Sequence, residues 1–172
     1  MIENIKFLSP VLLDKSHDKS DFDCGQNELN IFLKEYAMLN SKNNSSRTYV
    51  SICKDTGKIA GYYTLTFGSI SHEEAILKVK KHRPRPRLPI SVMILARLAV
   101  NKTHQKWGLG EAMLRDALLR SLQASEIAGL KAIIAHAKNE SASNFYKKYD
   151  FEESSINSNH LMVTLKDLTK LI

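Results

Sequence analysis

The sequence predicts an α/β protein of the mixed α+β kind, a sheet with helices on its faces, in one domain spanning residues 1–172. Three observations carry this. Segments rich in Val, Ile, Tyr and Thr alternate with stretches whose apolar residues recur every three or four positions. The run PISVMILARLAV (89–100) is apolar almost throughout, the pattern of a central strand covered on both faces. A chain of 172 residues, 43% hydrophobic and 25% charged, is long enough to bury a sizeable core.

Taken in order, NIKFLS (4–9) reads as a short first strand. In QNELNIFLKEYAMLN, Leu29, Phe32, Leu33, Tyr36 and Leu39 fall at spacings of three and four, one apolar face of a helix and a core stripe. A polar loop, NSKNNSS (40–46), follows. SRTYVSICK and KIAGYYTLTFGS flank Asp55-Thr56-Gly57, a hairpin signal. Beyond a basic segment come the central strand, a glycine turn and a helix. LKAIIAHA (130–137) is a further buried strand, NESASNFYKKY (139–149) a short helix, and NHLMVTLK (159–166) closes the sheet. In such sheets ligands bind beyond the carboxyl ends of central strands, where Arg97 to Val100 lead into the glycine turn.

Composition narrows the function classes. The chain has no run of 18 apolar residues, and MIENIKFLSP lacks a basic start and an apolar signal core, so neither export nor membrane anchoring is expected and the cytoplasm is the expected compartment. Cys24 and Cys53 form no metal spacing or disulfide framework and read as buried thiols. The histidines at 17, 72, 82, 104, 136 and 160 are scattered without ligand spacing, so no metal is expected. The net charge of +7 is concentrated in KVKKHRPRPR, which holds Lys78, Lys80, Lys81, Arg83, Arg85 and Arg87 and no acid. Such a patch suits a polyanion, because Lys and Arg release counterions from phosphates; a solvated loop is the other reading.

The stretch HQKWGLGEAMLRDALLR (104–120) sets two glycines one residue apart at a helix start. Each glycine costs roughly 0.5–1 kcal/mol of backbone entropy, so something is expected to approach the backbone closely. A helix N-terminus offers unpaired N–H groups and partial positive charge, which favours a phosphate. A tight turn is the alternative.

These residues resemble the GNAT superfamily of acyl-CoA-dependent N-acetyltransferases, and with it a mostly antiparallel central sheet flanked by helices. The family's pyrophosphate loop, Gln or Arg, two residues, Gly, one residue, Gly or Ala, is matched by Gln105, Lys106, Trp107, Gly108, Leu109 and Gly110. Lys106 stands where many members have glycine. The later motif is present as Asn139, Ala142, Phe145 and Tyr146, and its closing Gly-Phe appears as Asp150-Phe151. The segments FDCGQNELNIFL, GYYTLTFGSIS, RPRPRLPISVMILARLAVNKTHQKWGLG and AIIAHAKNESASNFYKKYDF are together similar to the GNAT toxins of bacterial toxin–antitoxin pairs, which acetylate the amine of aminoacyl-tRNA and are paired with ribbon-helix-helix antitoxins.

The resemblance implies acetyl-CoA as co-substrate, aminoacyl-tRNA as acceptor and a homodimer. It implies that Tyr146 gives a proton to the departing thiolate, that backbone groups of Leu98, Ala99 and Val100 hold the pantetheine arm and polarise the thioester carbonyl, and that Asn139 touches that arm. Asn139 as a helix cap is the competing reading. A phenol with an ordinary pKa of about 10 is a donor at neutral pH. Arg83, Arg85 and Arg87 are candidate tRNA contacts. Arg97, in an apolar strand where an unpaired charge costs several kcal/mol, is expected to face an acid or the substrate. His136 reads as a hydrogen-bonded core histidine, with action on the amine as the rival. Trp107 stacks or packs, Glu73 and Glu74 beside the basic run are candidate amine-side bases with ordinary surface carboxylates as the rival reading, and the general base is unassigned. Two further readings stand beside the enzyme on tRNA: a transferase for a small amine or a protein N-terminus, and a nucleic-acid-binding module whose transferase site has decayed.

Overall fold

The computed structural model describes residues 6–81 and 88–168, so Arg83, Arg85 and Arg87 lie outside the described residues. In chain order the elements are β1 (Val11–Leu12), α1 (Asn27–Ile31), a π-helical turn (Phe32–Tyr36), α2 (Ala37–Lys42), β2 (Arg47–Ile52), β3 (Ile59–Ile70), α3 (Leu77–Lys80) and β4 (Ile90–Val100). A 3-10 turn (Lys102–His104) leads to α4 (Leu109–Ser125), β5 (Ala132–His136), α5 (Glu140–Lys147), β6 (Glu152–Glu153), β7 (His160–Thr164) and α6 (Leu165–Leu168). The sheet has seven strands in the order β1-β2-β3-β4-β5-β7-β6. The β4/β5 pair is parallel, and the β1/β2, β2/β3, β5/β7 and β6/β7 pairs are antiparallel. This is the mixed, mostly antiparallel sheet flanked by helices that the sequence predicts.

By its internal contacts the chain divides into two compact units, Met1–Leu65 with Arg97–Ala117 and Thr66–Ala96 with Leu118–Ile172; β3 and β4 contribute residues to both. In the first, Gly57 takes φ 68° at the hairpin turn, and a Thr48–Thr64 hydroxyl pair at 2.8 Å satisfies two buried polar groups across β2 and β3. Its core gathers Leu13, Phe22, Phe32, Leu33, Val50, Tyr62 and Ala99. In the second, Ile70, Ala75, Ile76 and Val79 cover one face of the sheet built from Val92, Ala132, Ile134 and Met162. Lys78 bridges the Glu152 and Asp167 carboxylates at 2.8 and 3.3 Å. Both cysteines are buried free thiols, as expected.

The structure departs from the sequence reading at three points. Among the described residues the first strand is Val11–Leu12; of the expected segment 4–9, Asn4 and Ile5 lie outside the described residues, Phe7 makes an isolated bridge to Cys53, and Pro10, without an N–H, stands between the two. β7 is the last strand in chain order, as expected, but the two-residue β6 before it was not foreseen; it pairs outside β7, and its Glu152 and Glu153 suit an exposed edge. In the first helix Leu29, Phe32 and Leu33 pack inward, but Tyr36 and Leu39 are exposed and Ala37 is buried instead. The π-helical turn rotates the face between the two halves of the stripe. Beside it the Tyr62 hydroxyl donates to the Leu29 carbonyl at 2.8 Å, a side chain entering the helical ladder.

Gly61 on β3 fixes how closely β3, β4 and α4 approach within the first unit. A Cβ there would lie 2.7 Å from Met113 Cε and 3.0 Å from the Ala99 carbonyl oxygen, which is backbone and cannot turn aside. Gly61→Ala is expected to destabilise the fold by about 1–3 kcal/mol, measured by denaturant unfolding; an unchanged midpoint would show that the strands part freely.

Candidate active site

The glycine turn and the end of β4 stand together in the first unit. Asn101 ends β4 with its N–H on the Ala60 carbonyl at 2.8 Å, and its side chain caps the 3-10 turn at Thr103 N. Gln105 then braces the loop: its Nε2 donates to the Val100 and Cys24 carbonyls at 3.0 and 3.1 Å. The Asp23 carboxylate accepts from Lys102 Nζ at 2.8 Å and from Gly25 N and Asn30 Nδ2, which holds it far below the usual carboxylate range, the Lys102 bond being the largest cause. Two anchors therefore fix the path of the chain before the turn.

Lys106 and Gly108 both take left-handed backbone, φ 66° and 78°. Lys106 thus adopts the conformation that glycine supplies in many relatives, at the modest strain a non-glycine residue carries there. Asp150, in the other departure from the motif, does the same at φ 62°. A Cβ placed on Gly108 would meet nothing within 4 Å, so the turn borders open space. Leu109 is buried, and Gly110 and Glu111 form the first turn of the 17-residue α4. Its leading N–H groups and dipole present a seat for an anion beside that open space. Trp107 is 61% exposed and carries Lys6 Nζ 4.1 Å above its ring.

On β4, Ala99 is buried while Leu98 and Val100 are half-buried. The parallel ladder with β5 runs from Val92↔Ala132 to Leu95↔Ala135, and β4 continues past it to Val100. Among the described residues the half-buried Arg97 places its guanidinium 3.6 Å over the Phe32 ring, in the π-helical turn. A cation on an aromatic face is a different answer to the cost of a half-buried charge than the acid expected.

The second unit holds the remaining candidates on β5 and α5. Asn139 caps α5, its Oδ1 accepting from Ala142 N at 2.8 Å, so the capping reading is the observed one. Tyr146 is buried, its ring packed against Phe145 and Phe151 at 5.3 Å between centroids, and burial pushes its phenol well above the ordinary range.

His136 is not a core histidine. It is exposed at the end of β5 and stacks on half-buried His160 of β7, its cross-strand partner, with ring centroids 4.0 Å apart and planes 14° from parallel. That pairing was missed because register between strands cannot be read from either segment alone. The same holds for the Lys6–Trp107 and Asp23–Lys102 contacts.

Comparison with known proteins agrees with this fold. Residues 45–153 match the model of the acetyltransferase (GNAT) domain. The chain is 37% identical to the tRNA-acetylating toxin of Mycobacterium tuberculosis (strain ATCC 25618 / H37Rv), over 96% of this chain and 97% of that protein. Among solved structures, AtaT complexed with acetyl-methionyl-tRNAfMet superposes with a TM-score of 0.86 at 28% identity, covering 96% of this chain and 98% of that one. A tyrosine-to-phenylalanine mutant of the AtaT toxin, bound to the C-terminus of the antitoxin AtaR and acetyl-CoA, gives 0.80 at 25% identity, with 96% and 98% covered.

Proposed function

The chain belongs to the GNAT acetyltransferase family, and from that premise we propose that it transfers the acetyl group of acetyl-CoA to the primary amine of aminoacyl-tRNA and so blocks translation. The observation that carries the acceptor is the 37% identity, spread over nearly the full length of both chains, to a tRNA-acetylating toxin. The donor fits the first unit: open space over Gly108 at the start of α4 suits a pyrophosphate, and the stretch of β4 beyond its ladder leaves Leu98, Ala99 and Val100 to pair with a pantetheine arm.

In this reading the amine nitrogen attacks the acetyl carbonyl carbon, a backbone N–H of the Leu98–Val100 stretch supports the charge that grows on the oxygen, and the C–S bond breaks. The departing sulfur takes the Tyr146 phenolic proton, and the amine sheds one to solvent. No covalent enzyme intermediate is needed. Asn139 touches the cofactor arm through the amide nitrogen that capping leaves over. Gln105, Lys106, Trp107, Leu109 and Gly110 shape the phosphate seat, and Arg97 presents its cation toward the tRNA end. The partner is a ribbon-helix-helix antitoxin, consistent with the antitoxin-bound relative, and the active form is a cytoplasmic homodimer. Among the described residues no helix is long and apolar enough to cross a membrane. Light scattering of the chain alone and with the antitoxin checks the assembly.

The basic segment decides between tRNA and a small amine. Changing Arg83, Arg85 and Arg87 together to Ala is expected to leave acetyl-CoA binding intact and to weaken tRNA binding. The logarithmic salt slope should flatten by about 0.7–0.9 for each phosphate the protein no longer neutralises. The sequence interleaves Arg83, Arg85 and Arg87 with Pro84 and Pro86, a pattern that suits phosphate contact without base reading. The measurement is tRNA affinity across a salt series, with acetylation of aminoacyl-tRNA in parallel. Equal binding and acetylation by both proteins would make the segment a solvated loop. Acetylation of a free amine alone would replace tRNA with a small substrate.

A further inference from the structure

We propose that His136, stacked on His160 at the carboxyl end of β5, is the group that takes the proton from the acceptor ammonium before acetyl transfer. The inference rests on the acceptor being an amine, as proposed above, and deepens that reading by assigning its base.

Position comes first. His136 directly follows Ala135, the last β5 residue in the parallel ladder with β4, so it stands at the carboxyl edge where ligands of such sheets bind. Ala132, Ile134 and His136 alternate onto one face of β5, as His160 and Met162 do on β7. Ala132, Ile134 and Met162 are buried there under Ile70, Ala75, Ile76 and Val79. The two histidines therefore lie at the carboxyl edge of β5, on the face that Ile70, Ala75, Ile76 and Val79 cover. The same strand reaches α5, and with it Tyr146, through Ala137 and Lys138.

Chemistry follows from the pairing. Two imidazoles stacked at 4.0 Å resist holding two positive charges. The charged groups that face His136 among the described residues are His160 from β7 and Glu74 from the segment before α3, while β4 brings Leu95 and Ala96. Burial first, and then His160, lower the affinity of His136 for a proton, and Glu74 opposes them. The Glu74 backbone is tied down by Ser154 Oγ, which donates to its carbonyl at 2.7 Å. At pH 7 His136 is therefore neutral and able to accept. An α-amine with an ordinary pKa of about 7.7–8.0 is mostly protonated at that pH and cannot attack. The ammonium proton passes to the His136 imidazole and on to water; the free amine forms the C–N bond.

The test uses the full chain with two acceptors, charged total tRNA and phenylalaninamide, and follows kcat at saturation against pH. For the native chain the acid limb should fall below the ordinary imidazole range, set by His136. His136→Gln should lower kcat at pH 7 by about 10²-fold and move the limb up toward the amine's own titration. His160→Gln, which removes a like charge, should move the native limb up while keeping the plateau, and Glu74→Gln should move it down. The His136 proton resonances should titrate in step with those limbs. Native kcat and limb in the His136→Gln variant, or a His136 resonance indifferent to His160→Gln, would overturn the proposal. Transfer to phenylalaninamide alone would overturn the tRNA reading and leave the histidine test intact.

Discussion

Tyr146→Phe is expected to leave the fold and acetyl-CoA affinity in place and to lower turnover about 10²–10⁴-fold, the usual contribution of a positioned general acid. The substitution keeps the buried ring against Phe145 and Phe151 and removes only the hydroxyl. Burial raises the phenol's pKa above its ordinary value of about 10, so the proton is present throughout the neutral range. The sign has a consequence for pH profiles: loss of the Tyr146 proton can lower activity only above about pH 10, and any limb seen near neutrality belongs to another group. Single-turnover acetylation, with calorimetry for acetyl-CoA, separates chemistry from binding. In cells the same change should relieve growth arrest by the expressed chain. Turnover equal to that of the native protein would remove Tyr146 from the chemistry.

What could be read from the sequence were features set by local physics. The apolar run of β4, the hairpin around Asp55 to Gly57, the buried β5 and the capped α5 each follow from residue type and spacing over a few positions, and each stands within two residues of where it was expected. The two departures from the family's glycine pattern also resolve locally, because Lys106 and Asp150 take the left-handed conformation themselves. Features set by distant residues were not legible. The stripe from Leu29 to Leu39 gives no sign that Tyr62 will donate into the helix and that a π-helical turn will expose Tyr36 and Leu39. Arg97 announces a charge in need of a partner but not that the partner is Phe32. His136 and His160 are 24 positions apart in sequence, and only the β5/β7 register makes them one site.

Gly108→Glu is expected to abolish acetyl-CoA binding while the chain still folds. Two separable costs are involved. At φ 78° any side chain strains the backbone, by about 1 kcal/mol for an ordinary residue, which lowers the melting temperature slightly. The added side chain itself meets no protein atom within reach of its Cβ, so packing within the chain does not suffer. Its carboxylate instead enters the open space beside the first N–H groups of α4, where it would satisfy those donors, occupy the dipole's seat and repel a pyrophosphate. Gly108→Asn separates the terms, since Asn tolerates left-handed backbone and carries no charge: its stability should be closer to native and its acetyl-CoA affinity between those of the native and Glu chains. Calorimetry at fixed salt reads affinity, and thermal unfolding without ligand reads the backbone strain. Near-native affinity in the Glu chain would mean that Gly108 serves only to turn the chain, and the phosphate seat would then have to be sought away from the start of α4.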